Sequence, residues 1–283
     1  HPNSRRQRQM CIRDSGSFEC YMMKIIRRKL GFEIQIEIFI KNFFHVIYYT
    51  YRLNYLYFDL FIYMKLLTFK LKKEQNLRVG ALKNENIVDL SEASLPSDMV
   101  EFINLGDIGI EKATDYLESN ITGISPDDIT IKAPIKTPKK ILAVGLNYKK
   151  HVEEAKDLKD HHSNKVELQE QFPNIFNKQN SAVNDPYGEV HRPNASDWLD
   201  YEGELGMIIG KTCRHVPYDQ AHKAVYGYTV VNDFTVRDWQ FRGPPHTMTM
   251  GKSWDTHCPF GPYIVTSDEI NDPHNLNLRT YVN

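Results

Sequence analysis

The chain has 283 residues, enough for one large domain or two smaller ones around a sizeable core. Its 41% apolar and 25% charged residues are those of a soluble globular protein. The net charge is −1, but residues 1–63 carry ten Lys/Arg against five Asp/Glu and leave the rest of the chain at −6. An acidic body with no basic stripe excludes nucleic acid as the expected partner. Four cysteines (Cys11, Cys20, Cys213, Cys258) lack zinc-binding spacing, and Cys213 and Cys258 read as reduced thiols of a cytosol-like compartment.

Residues 1–63 read as a leader foreign to the fold. Met10 to Ser15 matches a translated transposon-end sequencing adapter, and twelve of residues 31–63 are Phe or Tyr, as AT-rich non-coding sequence gives when translated. Lys41, His45, Arg52, Asn54 and Asp59 interrupt the best apolar window, so neither a membrane span nor a clean signal peptide is expected. Met64 is then the expected start of the fold. With no targeting segment left, the cytoplasm is the default compartment and the mitochondrion the alternative.

Residues 64–135 predict a small α+β module with no catalytic group. A strand starts at Met64, a hairpin turns at Lys83–Asn86, and helices are expected over Asp98–Leu105 and Glu111–Leu117. A strand from Ile129 leads out towards Pro134 and Pro138.

Residues 136–283 carry the chemistry. Lys140 to Gly145 reads as a buried strand, Asn147 as a helix N-cap, and Tyr148 to Lys156 as a short helix. His151 and Glu154 stand three apart on it and share a face; they are either a general base with its orienting carboxylate or a surface pair without consequence. Lys156 to Gln171 is a polar excursion. Further on, a short helix over Tyr218–Ala224 separates two strands, and the chain closes on a strand near Arg279–Asn283.

The stretch around which the rest is organised is Asp200 to Gly210. The apolar run after Glu204 reads as a buried strand with its acidic end at a rim. Side chains alternate along a strand, so Glu202 and Glu204 share a face. Such a pair is either a solvated acidic rim or a binding site for a hard divalent cation. A second apolar strand, from Gly227, ends in Asp233, 29 residues after Glu204, a separation that suffices to return this third carboxylate beside the first two. Lys252, between Gly251 and Trp254, is either a surface lysine or partly buried beside the acids.

Taken together, the motifs beginning at Gly145, Asp200, Gly227, Arg237, Gly251, Cys258 and Asp272 resemble the fumarylacetoacetate hydrolase superfamily, in its domain-containing and diene-dioate isomerase branch. The resemblance covers Met64 to Asn283 and implies an α+β, mostly β fold: a mixed β-sandwich roll behind the small N-terminal module, dimeric at full length. It implies metal ligands Glu202, Glu204 and Asp233 for Mg²⁺ or Mn²⁺ (Ca²⁺ possible) and a lid dyad of His151 and Glu154. Arg237, Gln240 and Lys252 would stabilise an oxyanion. The implied substrates are small 2-keto or 1,3-dicarbonyl acids, with C–C hydrolysis of the acylpyruvate or fumarylpyruvate type expected first. Isomerisation or oxaloacetate tautomerisation and decarboxylation on the same site is the alternative, and an inactive metal-binding fragment the second. The family's C-terminal part, with a Gly-Thr-Pro loop, is absent from the sequence, and the polar stretch 156–171 is longer than the family pattern.

Overall fold

The computed structural model describes residues 64–119, 122–157, 172–243 and 247–282, with backbone alone for 154–157. The expectations for the leader and for the core of the polar excursion (158–171) lie outside the described residues. Residues 64–273 form one compact unit. Among the described residues no helix is long and apolar enough to cross a membrane.

Thirteen strands and five α-helices are described. The first part holds β1 (Lys65–Leu71), β2 (Arg78–Lys83), β3 (Asn86–Asp89), α1 (Met99–Asn104), α2 (Asp107–Glu118) and β4 (Ile129–Lys132). β5 (Ile141–Gly145), α3 (Lys149–Asp157), β6 (Asn174–Lys178) and β7 (Val183–Asn184) follow. The acidic stretch supplies β8 (Leu199–Asp200), β9 (Gly203–Ile209), β10 (Val225–Asn232) and β11 (Thr235–Val236). Last come α4 (Arg237–Gln240), α5 (Met248–Lys252), β12 (Cys258–Pro259) and β13 (Ile264–Thr266).

Seven strands form the main sheet, in the order β3-β2-β1-β13-β10-β9, with β4 also paired to β1. One edge of β1 is shared: Lys65 and Leu66 face β13, and Thr68 to Leu71 face β4. The strands before residue 135 therefore lie in the same sheet as those carrying the acids. Leu67, Phe69, Ile87 and Ile129 close into a core cluster, and Phe102 of α1 and Leu117 of α2 are buried as well. Asp98 caps α1 by accepting from the N–H groups of Val100 and Glu101 at 2.9 and 3.0 Å, worth about 1 kcal/mol.

Four local expectations are corrected. β9 is not buried: Met207 is 60% and Ile209 57% exposed, because among the described strands β9 is the last of the sheet and pairs with β10 alone. Among the described strands β5 pairs only with β6, and Leu142 is 65% exposed. α3 starts at Lys149, so its cap falls on Tyr148, whose C=O accepts from the Val152 N–H at 3.0 Å, and not on Asn147. Residues 276–282 carry no strand.

Candidate metal centre

The register of the β9–β10 ladder builds the site. Glu204 pairs with Val231 and Gly203 with Asn232, so the next rung sets Glu202 against Asp233. Two bonds carry that rung past the strand ends: the Asp233 N–H donates to the Glu202 C=O at 2.8 Å, and the Glu202 N–H donates to the Asn232 side-chain oxygen at 2.9 Å. Directly opposed and diagonal neighbours of one sheet face are thus three carboxylates. One oxygen from each of Glu202, Glu204 and Asp233 lies within 4.8 Å of the others.

Each like-charged pair at 4.8 Å repels by about 3–4 kcal/mol at an effective dielectric of about 20. Three buried or half-buried cations answer this. Lys252 is 2% exposed, and its ammonium donates to Glu202 Oε2 at 2.6 Å, Asp233 Oδ2 at 2.7 Å and Thr235 Oγ1 at 2.8 Å. It is the buried alternative of the two open to it. Lys178, at the end of β6, donates to Asp233 Oδ1 at 2.5 Å and to the Lys252 C=O. The Arg237 guanidinium meets Glu202 Oε1 at 2.5 Å and Asp200 Oδ2 at 2.7 Å, and donates from Nη1 to Gln240 Oε1 at 3.0 Å.

The charges are unevenly matched. Burial alone would raise the Glu202 carboxyl, but Lys252 and Arg237 hold it below the usual range. Burial, and then the charges of Asp233 and Glu202, push Glu204 up to about 7. Among the described residues no ion pair reaches Glu204. Four carboxylates (Asp200, Glu202, Glu204, Asp233) face three cations, which leaves one negative charge and an all-oxygen donor set. Those residues fit a hard divalent cation.

Of the remaining expected residues, Gln240 is 4% exposed and spends its carbonyl oxygen on Arg237 and its amide on Met248 Sδ at 3.2 Å. It orients the guanidinium. α4 and α5 approach so closely that a Cβ on Gly251 would lie 2.7 Å from Gln240 Cα; glycine at this crossing lets Lys252 reach the acids. His151 stands exposed on the first turn of α3. The Glu154 side chain lies outside the described residues.

Lys178, Thr235 and Asp200 are participants that motif reading passed over. Lys178 could have been suspected as a lone charge closing the strand-like Ile175–Asn177. Asp200 and Thr235 are joined by β8–β11 pairing, a contact with no local signature.

An antiparallel hairpin carrying three acids, backed by buried lysines in an α+β, mainly β fold, defines a class of carboxylate-based cation sites. The family described as "Fumarylacetoacetate (FAA) hydrolase C-terminal" matches residues 140–283. The chain is 36% identical over 224 residues to the mitochondrial oxaloacetate tautomerase fahd2 of Xenopus laevis, covering 78% of this chain and 67% of that one. It is 35% identical over 204 residues to the human mitochondrial oxaloacetate tautomerase FAHD2A, covering 72% of this chain and 61% of that one. Among solved structures, maleylpyruvate hydrolase from Sphingobium sp. SYK-6, in complex with manganese(II) and pyruvate, superposes with a TM-score of 0.57 at 27% identity, over 74% of this chain and 70% of that one. The chain belongs to the fumarylacetoacetate hydrolase family, whose members are enzymes.

Proposed function

We propose that this protein is a divalent-cation-dependent enzyme that interconverts the enol and keto forms of a small 2-oxo dicarboxylic acid, with oxaloacetate as the candidate substrate. The observation that carries the reading is the acid triad, in which, among the described residues, Glu204 alone is in no ion pair. The choice of tautomerisation over hydrolysis, the first expectation from sequence, rests on the names of the curated relatives. Their names also favour the mitochondrion over the cytoplasm.

Glu202, Glu204 and Asp233 would hold Mg²⁺ or Mn²⁺, with Ca²⁺ also suited to the oxygen donors; the bound ion supplies Lewis-acid polarisation of a keto oxygen. The chain's own residues do the rest. Lys252 and Arg237 keep fixed positive charge beside the place where the substrate oxygen becomes anionic. Gln240 keeps the guanidinium turned towards Glu202. Imidazole exchanges protons near neutral pH, so His151 takes the proton from the enol hydroxyl and delivers it to the neighbouring carbon, which leaves the imidazole as it began. Glu154, three residues on in the sequence, is the carboxylate proposed to orient it.

C–C hydrolysis is the second reading, favoured by the maleylpyruvate hydrolase structure. One panel decides: loss of enol-oxaloacetate ultraviolet absorbance and cleavage of acetylpyruvate, each with Mn²⁺ and after chelation. We expect Mn²⁺-dependent enol loss, abolished in Glu204→Gln and strongly slowed in His151→Ala. An enol decay rate no greater than that of buffer would refute tautomerisation, and faster cleavage of acetylpyruvate would install hydrolysis in its place.

A further inference from the structure

The helix carrying His151 and the strand carrying Glu204 are joined by one side chain for which neither motif nor comparison assigns a task. The chain passes from β5 to α3 through only Leu146, Asn147 and Tyr148, and Leu146 adopts φ +52, the left-handed region that a leucine seldom occupies. That turn directs Tyr148 towards β9, where its hydroxyl accepts the Leu205 N–H at 2.9 Å.

The ladder explains why that N–H is available. Leu205 pairs with Val230, whose C=O faces away from β9 and accepts from the Gly261 N–H at 2.9 Å. The pair is therefore one of the non-hydrogen-bonded rungs, and the Leu205 N–H points out of the open edge of β9. Without the phenol, this half-buried amide would lose its partner, at the residue next to Glu204. On the helix side, Tyr148 is the cap residue, one turn before His151.

We propose that Tyr148 is a positioning residue: its hydrogen bond to the Leu205 amide fixes the start of α3, and with it His151, relative to the acid triad. The proposal rests on His151 being the proton-transfer group of the reading above. A neutral hydrogen bond between two elements adds little to global stability, whereas misplacing a reacting group by about 1 Å costs up to about a hundredfold in rate. The signature is thus a loss of rate without a matching loss of binding or fold.

The test is Tyr148→Phe in the full chain, which keeps the ring and removes the hydroxyl. Three readouts are expected to move: faster amide hydrogen exchange at Leu205, weaker Mn²⁺-induced relaxation of the α3 amides, and a kcat about ten- to a hundredfold lower. KM and Mn²⁺ affinity should stay within about twofold, since no binding group is removed. A thermal melt verifies that the variant is folded. Unchanged exchange at Leu205 overturns the proposal, as does faster exchange with unaltered α3 relaxation and unaltered kcat. If the wild-type chain turns over neither test substrate, the catalytic reading falls, while the exchange and relaxation measurements still decide whether Tyr148 holds the helix to the strand.

Discussion

Replacing Lys252 by methionine removes the charge at the centre of the site and nearly keeps the side chain's length. Its ammonium is held by Glu202 and Asp233 at 2.6 and 2.7 Å and is 2% exposed, so water cannot take its place. Breaking a buried ion pair by deleting one partner costs about 3–5 kcal/mol. Here Asp233 keeps Lys178 and Glu202 keeps Arg237, both at 2.5 Å, which argues for the low end, about 3 kcal/mol. For a fold of this size that corresponds to a Tm about 6–12 °C lower in chelator. A divalent ion bound by the same carboxylates would return positive charge to them; each protein gains about 2.7 kcal/mol at a hundred times its own Kd, and the variant, with one more unpaired negative charge, binds the ion more tightly and gains more at a common concentration. Melting curves of wild type and Lys252→Met, in chelator and in saturating Mn²⁺, should therefore show a wide gap that narrows to a few degrees. A metal-free gap under about 2 °C, or one that Mn²⁺ leaves unchanged, would refute this account of the site.

Two further outcomes follow from geometry and charge. Gly251→Ala forces a Cβ to within 2.7 Å of Gln240 Cα, so α4 and α5 must separate and carry Lys252 off the acids. We expect about 1–3 kcal/mol of destabilisation and a fall in kcat, measured by denaturant unfolding and the enol assay; full activity would show that the crossing is slack. Glu269 has a buried carboxylate oxygen with no hydrogen-bond partner among the described residues, and burial, opposed by Lys65 and aided by Asp268, raises it from 4.5 to about 7. The folded state then holds a proton that the unfolded state has released, so stability is fully present below pH 4.5 and is lost as pH rises to about 7. Glu269→Gln should flatten the Tm profile between those values, and an unchanged slope would contradict the assignment.

What could be read from the sequence was local. The β9–β10 hairpin announced itself through two apolar runs, each bounded by acids, and the pairing that joins Glu202 to Asp233 needed only a short return. The hairpin of β2 and β3, around a turn whose Asn84 and Glu85 take positive φ, was equally legible. The same apolar run misled about burial: in a strand covered by neighbours it would be enclosed, but an edge strand leaves Met207 and Ile209 open. Contacts between distant segments left no trace in the sequence. Lys178 reaches Asp233 across 55 residues, and β1 finds β13 across nearly the whole unit. Periodicity reports which face of an element is apolar; it does not report which element will cover that face.

The hairpin also bears on how this protein can change over time. At the end distant from the acids, the ladder slips by a residue between Val225 and Gly227, and Ile209 and Ile208 pair on either side of the slip. From Gly227 to Asn232 the rungs run without interruption to the site. The irregularity takes up a mismatch before it reaches the carboxylates. Insertions and deletions within 211–223 therefore fall outside the ladder, whereas a single-residue deletion among 205–208 would slip both glutamates against Asp233 and dismantle the triad. Variation in length and preservation of chemistry are assigned to opposite ends of one hairpin.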